Sequence, residues 1–355
     1  MSQRPVSLNG KISKNISRLI DQFSNVKILV IGDWILDEFV WGTVERISPE
    51  APVPVVNVVR ESFVPGGALN VANNIRTLRG LVYPCGLVGR DLMGRMLVKT
   101  MRKEGIDTTG AIYDQTRPTT LKTRVIAHSQ QVVRFDRENN QELGGELLKK
   151  VSAYIDKVIS KVDAVIIEDY GKGMITPGLL TYVLKKAKAF KKPVLVDPKE
   201  KNFNYYEGVT VITPNRKEAL SACGLLKDGP IPDIHEVGKM LIKRFACQAV
   251  LITLGEEGMM LFEKSGATTK IPTAAREVFD VSGAGDTVIA VFTMALAAGA
   301  NMKEAALISN KAAGIVVGKL GTATVTPQEL KQSISERLPS EKKSPKKRIL
   351  SSVSV

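Results

Sequence analysis

The segment Asp280-Val281-Ser282-Gly283-Ala284-Gly285-Asp286 combines glycines with a carboxylate and runs directly into an apolar stretch of helical length, 287–298. Glycines let the backbone approach an anion closely, and the first N–H groups of a helix present the positive end of its dipole. An aspartate on that turn lies beside the anion, where it can accept the proton of an attacking hydroxyl group. The segment therefore predicts an anion hole with Asp286 as the base of a phosphoryl transfer.

The spacing alone equally allows Asp286 to act only as a cap of its helix. A carboxylate at a helix N-terminus is also expected to be more acidic than usual, and hence a weak base. Phosphoryl transfer tolerates a weak base, because its loose transition state demands little early proton removal.

Two further clusters of polar residues suit the binding of a polyol. Asp33 and Asp37 follow the first predicted strand, and carboxylates accept strong hydrogen bonds from sugar hydroxyl groups. Gly66 and Gly67 form a turn before a helix with Asn70 in its first turn. Paired glycines permit close approach of a ligand, and the amide both donates and accepts. Either cluster alone is also compatible with an ordinary turn.

Several motifs of other enzyme classes are absent from the chain. It contains no G-x-x-x-x-G-K-[ST], no G-x-G-x-x-G after the first strand, and neither H-R-D nor D-F-G. P-loop NTPases, dinucleotide dehydrogenases and protein kinases are therefore disfavoured. His128 and His235 are the only histidines, which also disfavours histidine-based zinc sites and Ser-His-Asp triads. Cys85, Cys223 and Cys247 are an odd number of cysteines at wide, unpatterned spacings, which does not indicate a disulfide framework and favours a reducing compartment.

Composition sets broad limits on the class of protein. The chain has 355 residues, 44% of them hydrophobic, which is enough for a sizeable core. Of the net charge of +14, the segments 1–27 and 341–355 carry +4 each, so +6 remains for the body. That surplus suits an enzyme of anionic substrates as well as a nucleic-acid-binding protein. The longest apolar run, Val288–Ala300, is interrupted and too short for a bilayer, so we expect a cytoplasmic protein without a membrane partner.

Short β-rich runs alternate with amphipathic stretches of helical length along most of the chain. This alternation predicts an α/β fold with a mostly parallel sheet covered on both faces. Two segments rich in Val and Thr, within about 38–63 and 112–137, interrupt it and predict an antiparallel lid over the carboxyl ends of the strands. Residues 341–355 predict a basic disordered tail. The predicted strands are 27–32, 164–169, 194–197, 209–213 and 250–255, and the predicted helices are 8–25, 142–160, 177–190 and 234–245.

Taken in order, these motifs resemble the ribokinase-like (PfkB) family of carbohydrate kinases over about residues 26–330. The resemblance implies a three-layer sandwich as one kinase domain, 1–340, with ATP and Mg²⁺ as cofactors. The stretches 32–37, 46–55 and 66–72 are most similar to the heptose-kinase branch, because only two residues separate Gly67 from Asn70. That branch phosphorylates the anomeric C1 hydroxyl of D-glycero-β-D-manno-heptose 7-phosphate to the 1,7-bisphosphate, for ADP-heptose and the lipopolysaccharide core.

The same resemblance implies roles for individual residues. Asp286 is the base, and Gly283, Ala284 and Gly285 form the anion hole. The element Asn215-Arg216-Lys217-Glu218 corresponds to an N-x-x-E motif that positions the nucleotide phosphates and, through Glu218, magnesium. The remaining nucleotide contacts are Thr253, Gly255, Gly258 and Asn310. The sugar contacts that the resemblance implies are Asp37, Gly66, Gly67 and Asn70, and the position of Asp33 after the first strand adds it as a further candidate. By their positions near strand ends or the lid, the candidate cations for the distal phosphate are Lys172, Lys199, Arg124 and Arg134.

Some heptose kinases are fused to a nucleotidyltransferase half that bears H-x-G-H, which this chain lacks, so we expect the kinase step alone. A kinase of the same fold for another sugar is the first alternative, and a non-catalytic nucleic-acid-binding protein is the second. The open edges of the lid strands favour a homodimer.

Overall fold

The computed structural model describes residues 10–128, 130–225, 233–275 and 277–335, so the predicted basic tail lies outside the described residues. Its centre is a nine-stranded sheet with the strand order β13-β12-β11-β10-β9-β8-β1-β4-β5. In this order, all neighbouring strands between β5 at one edge and β11 are parallel. The last two strands are antiparallel to their neighbours, β12 to β11 and β13 to β12. The bounds are β1 Lys27–Gly32, β4 Leu81–Gly89, β5 Ala111–Asp114, β8 Ala164–Glu168, β9 Val194–Asp197, β10 Val211–Ile212, β11 Ala249–Thr253, β12 Met259–Glu263 and β13 Thr268–Ile271.

Helices cover both faces of this sheet and bury two separate apolar cores. One layer consists of α1 Gly10–Asp21, α2 Ala68–Thr77, α3 Leu92–Lys103, α8 Ala284–Ala297, α9 Met302–Val316 and α10 Pro327–Ser335. The other consists of α4 Gly145–Val158, α5 Pro177–Ala189, α6 Arg216–Ala222 and α7 Ile234–Phe245. The α8 helix is apolar on all sides because it lies between the sheet and α9. The predicted mostly parallel α/β sandwich is thus confirmed.

The lid is a separate four-stranded sheet with the order β3-β2-β6-β7. Its strands are β2 Trp34–Ile47, β3 Pro54–Gly67, β6 Thr120–Ala127 and β7 Gln130–Arg137. The outer pairs are antiparallel as predicted, but the central pair of β2 and β6 is parallel. Residues 112–114, the start of the second predicted lid segment, instead belong to β5 of the large sheet, because the chain returns through α3 to pair β5 parallel to β4.

The first strand, β1, lies between β4 and β8, and its carboxyl end leads directly into β2 of the lid. Gly32 ends this strand, where an added Cβ would lie 2.2 Å from the carbonyl oxygen of Glu168. Only glycine fits there, so β1 and β8 end side by side, with Glu168 at the end of β8 and Asp33 directly after β1. Open α/β sheets bind their ligands at such switch points. Among the described helices, none has the length and apolar character needed to cross a bilayer.

Candidate active site

The predicted anion hole is the N-terminus of α8. Gly283 is the N-cap residue and has a φ of 77°, a left-handed conformation that favours glycine. The N–H of Ala284 donates to the Val281 carbonyl at 3.2 Å, whereas the next two amides, of Gly285 and Asp286, have no carbonyl partner inside the helix. These amides can therefore bind an anion at the positive end of the helix dipole.

Asp286 is 3% exposed, and both of its carboxylate oxygens accept hydrogen bonds from outside α8. The Asn70 amide donates to Oδ2 at 2.6 Å, and the Tyr170 hydroxyl donates to Oδ1 at 2.8 Å. Burial raises the pKa of Asp286 to about 6. The expectation of an unusually acidic Asp286 is therefore wrong, because loss of solvation outweighs the hydrogen bonds and the helix dipole. A carboxylate with a raised pKa is a better proton acceptor.

The buried carboxylates predict a pH dependence of stability in the absence of metal ions. The pKa values of Asp286 and Asp33 are raised from 3.8 to about 6, mainly by burial. The native state therefore holds these protons where the unfolded state has released them, so the free energy of unfolding falls as pH rises from about 4 to 6.5. The pKa values of Asp91, Asp114 and Asp136 are lowered, so these carboxylates stabilise the native state, and that stabilisation is lost only as the pH falls below about 4.

Urea unfolding in EDTA at pH 4.5 and 7.5 measures this effect, with the Asp286→Asn variant as the comparison. We expect the wild type to lose about 2 kcal/mol more than the variant between the two pH values, from a pKa raised by about two units. Equal pH dependence in both proteins would show that Asp286 titrates normally.

Two more carboxylates from adjacent strands join Asp286. Glu168 ends β8 and Asp197 ends β9, and burial raises the pKa of each well above its ordinary value. With Asp286 and Glu218 they line a cavity of about 190 Å³. The sequence interpretation missed Glu168 and Asp197. Both follow the rule already applied to Asp33, since polar residues at the carboxyl ends of neighbouring parallel strands converge.

The predicted nucleotide residues lie along one side of this cavity. Asn215 caps α6: its side chain accepts from the Glu218 N–H, and the Glu218 carboxylate accepts from the Asn215 N–H, both at 3.0 Å. Thr253 bridges to Asn215 in a parallel arrangement and lines the cavity with it. Arg216 pairs with Glu257, and Lys217 is exposed.

Two predicted glycines and Asn310 are not among the residues that line this cavity. Gly255 and Gly258 both have positive φ, and an added Cβ at Gly258 would lie 2.2 Å from the Ile271 carbonyl oxygen. The Asn310 amide on α9 donates to the Pro272 carbonyl at 2.9 Å, so it anchors the segment that follows β13. These residues shape the turn after β11 and the loop before α8.

The predicted sugar-binding turn, Gly66 and Gly67, contacts Asp37. An added Cβ at Gly66 would be 2.0 Å from the Asp37 carboxylate, so only glycine leaves room for that side chain. Gly67, with a φ of 58°, begins α2, whose first turn carries Asn70 to Asp286. Asp37 is near enough to raise the pKa of Asp286 by charge repulsion. The sugar turn, Asp37 and the candidate base thus share one site.

Asp33 has a different environment from Asp37. Its carboxylate accepts three backbone hydrogen bonds at 3.0 Å, from the N–H groups of Tyr170, Lys172 and Met174. We expected Asp33 to bind sugar hydroxyl groups, but its oxygens instead hold the loop that follows β8. That loop supplies Tyr170 to Asp286, so Asp33 acts on the site through the loop.

A basic cluster lies between the lid and the loop after β8, and we define it as Lys122, Arg124, Arg134 and Lys172. Arg124 binds Asp37 at 2.6 Å, and Lys172 binds Glu138 at 2.6 Å. Lys122, which the sequence interpretation missed, is 8% exposed and contacts Asp136 at 2.9 Å and Glu138 at 3.9 Å.

Arg134 makes two hydrogen bonds to Asp136, at 2.7 and 2.8 Å, and its side chain is 45% exposed. Lys122 of β6 lies opposite Asp37 of β2 in the strand register, so the two residues are on the same face of the lid. Lys199, the remaining predicted cation, lies apart from the cluster and lines the carboxylate cavity near Glu218. The four cations of the basic cluster and the three acids that they contact, Asp37, Asp136 and Glu138, together have a net charge of +1.

Comparison with known proteins identifies relatives of this chain. It is 45% identical over 325 residues to the bifunctional protein HldE of Pelobacter propionicus, a match of 91% of this chain and 66% of that protein. A second HldE, from Geobacter sulfurreducens, is 45% identical over 90% of this chain and 65% of its own length. The chain thus spans about two thirds of the length of these relatives.

Solved structures confirm the ribokinase-like fold. Phosphofructokinase-2 from Escherichia coli, in complex with substrates and products, superposes with a TM-score of 0.74 at 16% identity, over 87% of this chain and 98% of that one. The pfkB family carbohydrate kinase model matches residues 26–329, close to the span that the resemblance predicted. The chain therefore belongs to the pfkB family of carbohydrate kinases and is a sugar kinase, as the resemblance of its motifs implied.

Proposed function

We propose that this kinase transfers the γ-phosphoryl group of ATP to the anomeric C1 hydroxyl of D-glycero-β-D-manno-heptose 7-phosphate, in ADP-heptose and lipopolysaccharide core synthesis. The observation that carries the proposal is the position of Asp286. It is buried at the N-terminus of α8 and accepts a hydrogen bond from the amide of Asn70. It also lies near enough to Asp37, the ion-pair partner of Arg124 in the basic cluster, for charge repulsion to raise its pKa. A phosphoryl donor, a polyol and a second phosphate each have a chemically suited neighbour there.

Asp286 and its neighbours each have a role in the transfer. Asn70 and Tyr170 hold the Asp286 carboxylate in one orientation. The C1 oxygen attacks the γ-phosphorus, its proton passes to Asp286, and the bond to the β-phosphate oxygen breaks to release ADP. The amides of Gly285 and Asp286 stabilise the charge of the phosphoryl group in flight. Catalysis is then mainly positioning and charge stabilisation, as expected for phosphoryl transfer.

The nucleotide phosphates fit along the side of the cavity formed by Asn215, Glu218 and Thr253. Glu218 uses one carboxylate oxygen to cap α6, and carboxylate oxygens are the donors that Mg²⁺ prefers. Glu218 would therefore hold Mg²⁺ through water and the nucleotide phosphates, and the ion would supply charge neutralisation. A ribokinase from Arabidopsis thaliana, complexed with ribose and ATP, has the same fold, with a TM-score of 0.67 at 17% identity over 88% of this chain and 99% of that chain.

We assign the 7-phosphate of the sugar to the basic cluster under the lid. Lys122 and Lys172 converge on Glu138, and Arg134 and Lys122 converge on Asp136. These acids hold the cations in place, and a dianionic phosphate competes for the same donors with its own charge-assisted hydrogen bonds.

ADP release across a panel of phosphorylated heptoses, hexoses and pentoses tests the substrate. We expect the highest kcat/KM with D-glycero-β-D-manno-heptose 7-phosphate and a phosphate on C1 of the product. A clear preference for any other sugar phosphate would favour the alternative, a kinase of the same fold with another acceptor. Absence of ATP turnover, with nucleic-acid affinity that falls steeply with salt, would favour a binding protein instead.

We further propose that the kinase is a cytoplasmic homodimer that pairs through its lid. The outer strands β3 and β7 leave apolar side chains in solvent, including Val59 at 75% and Phe135 at 55% exposure. Unpaired strand edges and apolar surface favour association with a second copy. Light scattering at micromolar concentration should give twice the mass of the 38.6 kDa chain. A monomeric mass would contradict the dimer.

A further inference from the structure

Asn74 lies one helical turn after Asn70 on α2, and its side chain is fully buried. Its amide nitrogen donates to the backbone carbonyl of Asn70 at 2.9 Å, and its Oδ1 accepts from the Thr287 hydroxyl at 3.0 Å. A buried amide is costly unless both of its ends are bonded, and here both are. Asn74 therefore joins the helix that follows the sugar-binding turn to the helix that carries the candidate base.

The partners of Asn74 determine the orientation of its amide and, through it, that of Asn70. A backbone carbonyl can only accept, so the end of the Asn74 amide that faces the Asn70 carbonyl is the NH₂ group. The same NH₂ group lies 3.5 Å from Oδ1 of the Asn70 side chain. A reversed Asn70 amide would place two NH₂ groups against each other. Asn74 therefore favours the orientation in which the NH₂ group of Asn70 faces Asp286.

This orientation has its largest consequence when Asp286 receives a proton. The NH₂ group of Asn70 donates to Oδ2 of Asp286 at 2.6 Å, and an ionised carboxylate attracts that donor without further help. A protonated carboxyl group can itself donate, so it can pair with a reversed Asn70 amide through the amide oxygen. The contact with Asn74 opposes this reversal. The carboxyl group then keeps the same partners before and after it accepts the proton.

We propose that Asn74 and Thr287 are positioning residues of the phosphoryl transfer, which hold the Asn70 amide as a donor to Asp286. Both side chains are 0% exposed, and neither residue lines the cavity that Asp286 lines, so they act through Asn70. The inference rests on the proposed role of Asp286 as the base, but not on the identity of the sugar. The alternative is that Asn74 only ties the two helices together.

Replacement of Asn74 by leucine tests this role, because it leaves no buried group without a partner. The Asn70 carbonyl keeps its bond within α2, and the Thr287 hydroxyl keeps the Gly283 carbonyl at 3.2 Å. We expect kcat, measured with the preferred sugar phosphate of the panel, to fall roughly 3- to 10-fold, the effect of one lost hydrogen bond, while KM for ATP is unchanged. The matched control is Asn73→Leu, the same change at a half-buried position of the same helix, which should keep the wild-type kcat.

A double-mutant cycle separates positioning from general destabilisation. If Asn74 acts through Asn70, Asn74→Leu should have little further effect on kcat in an Asn70→Ala background. Thr287→Val should lower kcat in the same way and Thr287→Ser should keep it, which tests the same contact if Asn74→Leu melts too low to assay.

Three results would overturn the proposal: a wild-type kcat in Asn74→Leu, equal losses in both backgrounds, or an equal loss in Asn73→Leu. Each would leave Asn74 as a link between helices. Failure of the proposed base has a different signature, which is near-normal turnover by Asp286→Asn.

Discussion

Replacement of Asp286 by asparagine should lower kcat by roughly 10²- to 10⁴-fold, the contribution expected of a positioned general base. Asparagine keeps the size of the side chain, and its oxygen can still accept from Asn70 while its amide donates to the Tyr170 hydroxyl oxygen. The affinity for ATP should therefore change little. Steady-state kinetics with saturating ATP, together with nucleotide binding by calorimetry, measures both effects.

Melting temperatures show whether the Asp286→Asn variant loses activity because it unfolds. The raised pKa of Asp286 means that its ionised form disfavours the native state above about pH 6. The neutral variant should therefore melt no lower than the wild type at pH 8 in EDTA. Asp156→Asn, which removes an exposed carboxylate on α4, is the control for kinetics. Near-normal turnover by Asp286→Asn would remove this residue from the mechanism and leave it a helix cap.

Replacement of Lys122 by methionine should raise KM for the sugar phosphate by roughly 10- to 100-fold, the effect of losing about 1.5–3 kcal/mol from a charged hydrogen bond. Methionine keeps the apolar stem that packs within the lid. Asp136 retains Arg134 and Glu138 retains Lys172, so no acid is left without a partner. We expect kcat to change much less than KM, because the cluster binds the distal phosphate and not the reacting atoms.

The decisive comparison is the same sugar without its distal phosphate. If Lys122 binds that phosphate, the variant and the wild type should use the unphosphorylated sugar equally poorly. Lys99→Met, on the exposed face of α3, serves as the matched control. An equal loss with both sugars would assign Lys122 a structural role in the lid and would move the phosphate site elsewhere.

The sequence was most informative where one local pattern determines one structure. The strand 27–32, the strand 194–197 and the helix 234–245 have the predicted bounds because each is a short apolar or amphipathic run between polar residues. The anion-hole turn was also local, since glycine at position 283 and the helix after it are adjacent in the chain. The family resemblance then placed Asn70 and Glu218 in the site.

Features that depend on contacts between distant segments were not predictable in this way. Lys122 has the pattern of an ordinary polar residue in a strand, and only the pairing of β6 with β2 and β7 places it among acids. The role of Asp33 depends on the path of the loop 170–174, which is separated from Asp33 by at least 137 positions in the sequence. The raised pKa of Asp286 arises from burial by the assembled fold, whereas the sequence showed only the helix dipole.

A crystal structure with the sugar phosphate and a non-hydrolysable ATP analogue tests the central claim most directly. We predict that the γ-phosphate accepts hydrogen bonds from the amides of Gly285 and Asp286, with the C1 oxygen about 2.6–3.2 Å from the Asp286 carboxylate. A γ-phosphate bound away from the α8 turn, or a sugar with another hydroxyl facing Asp286, would contradict the account.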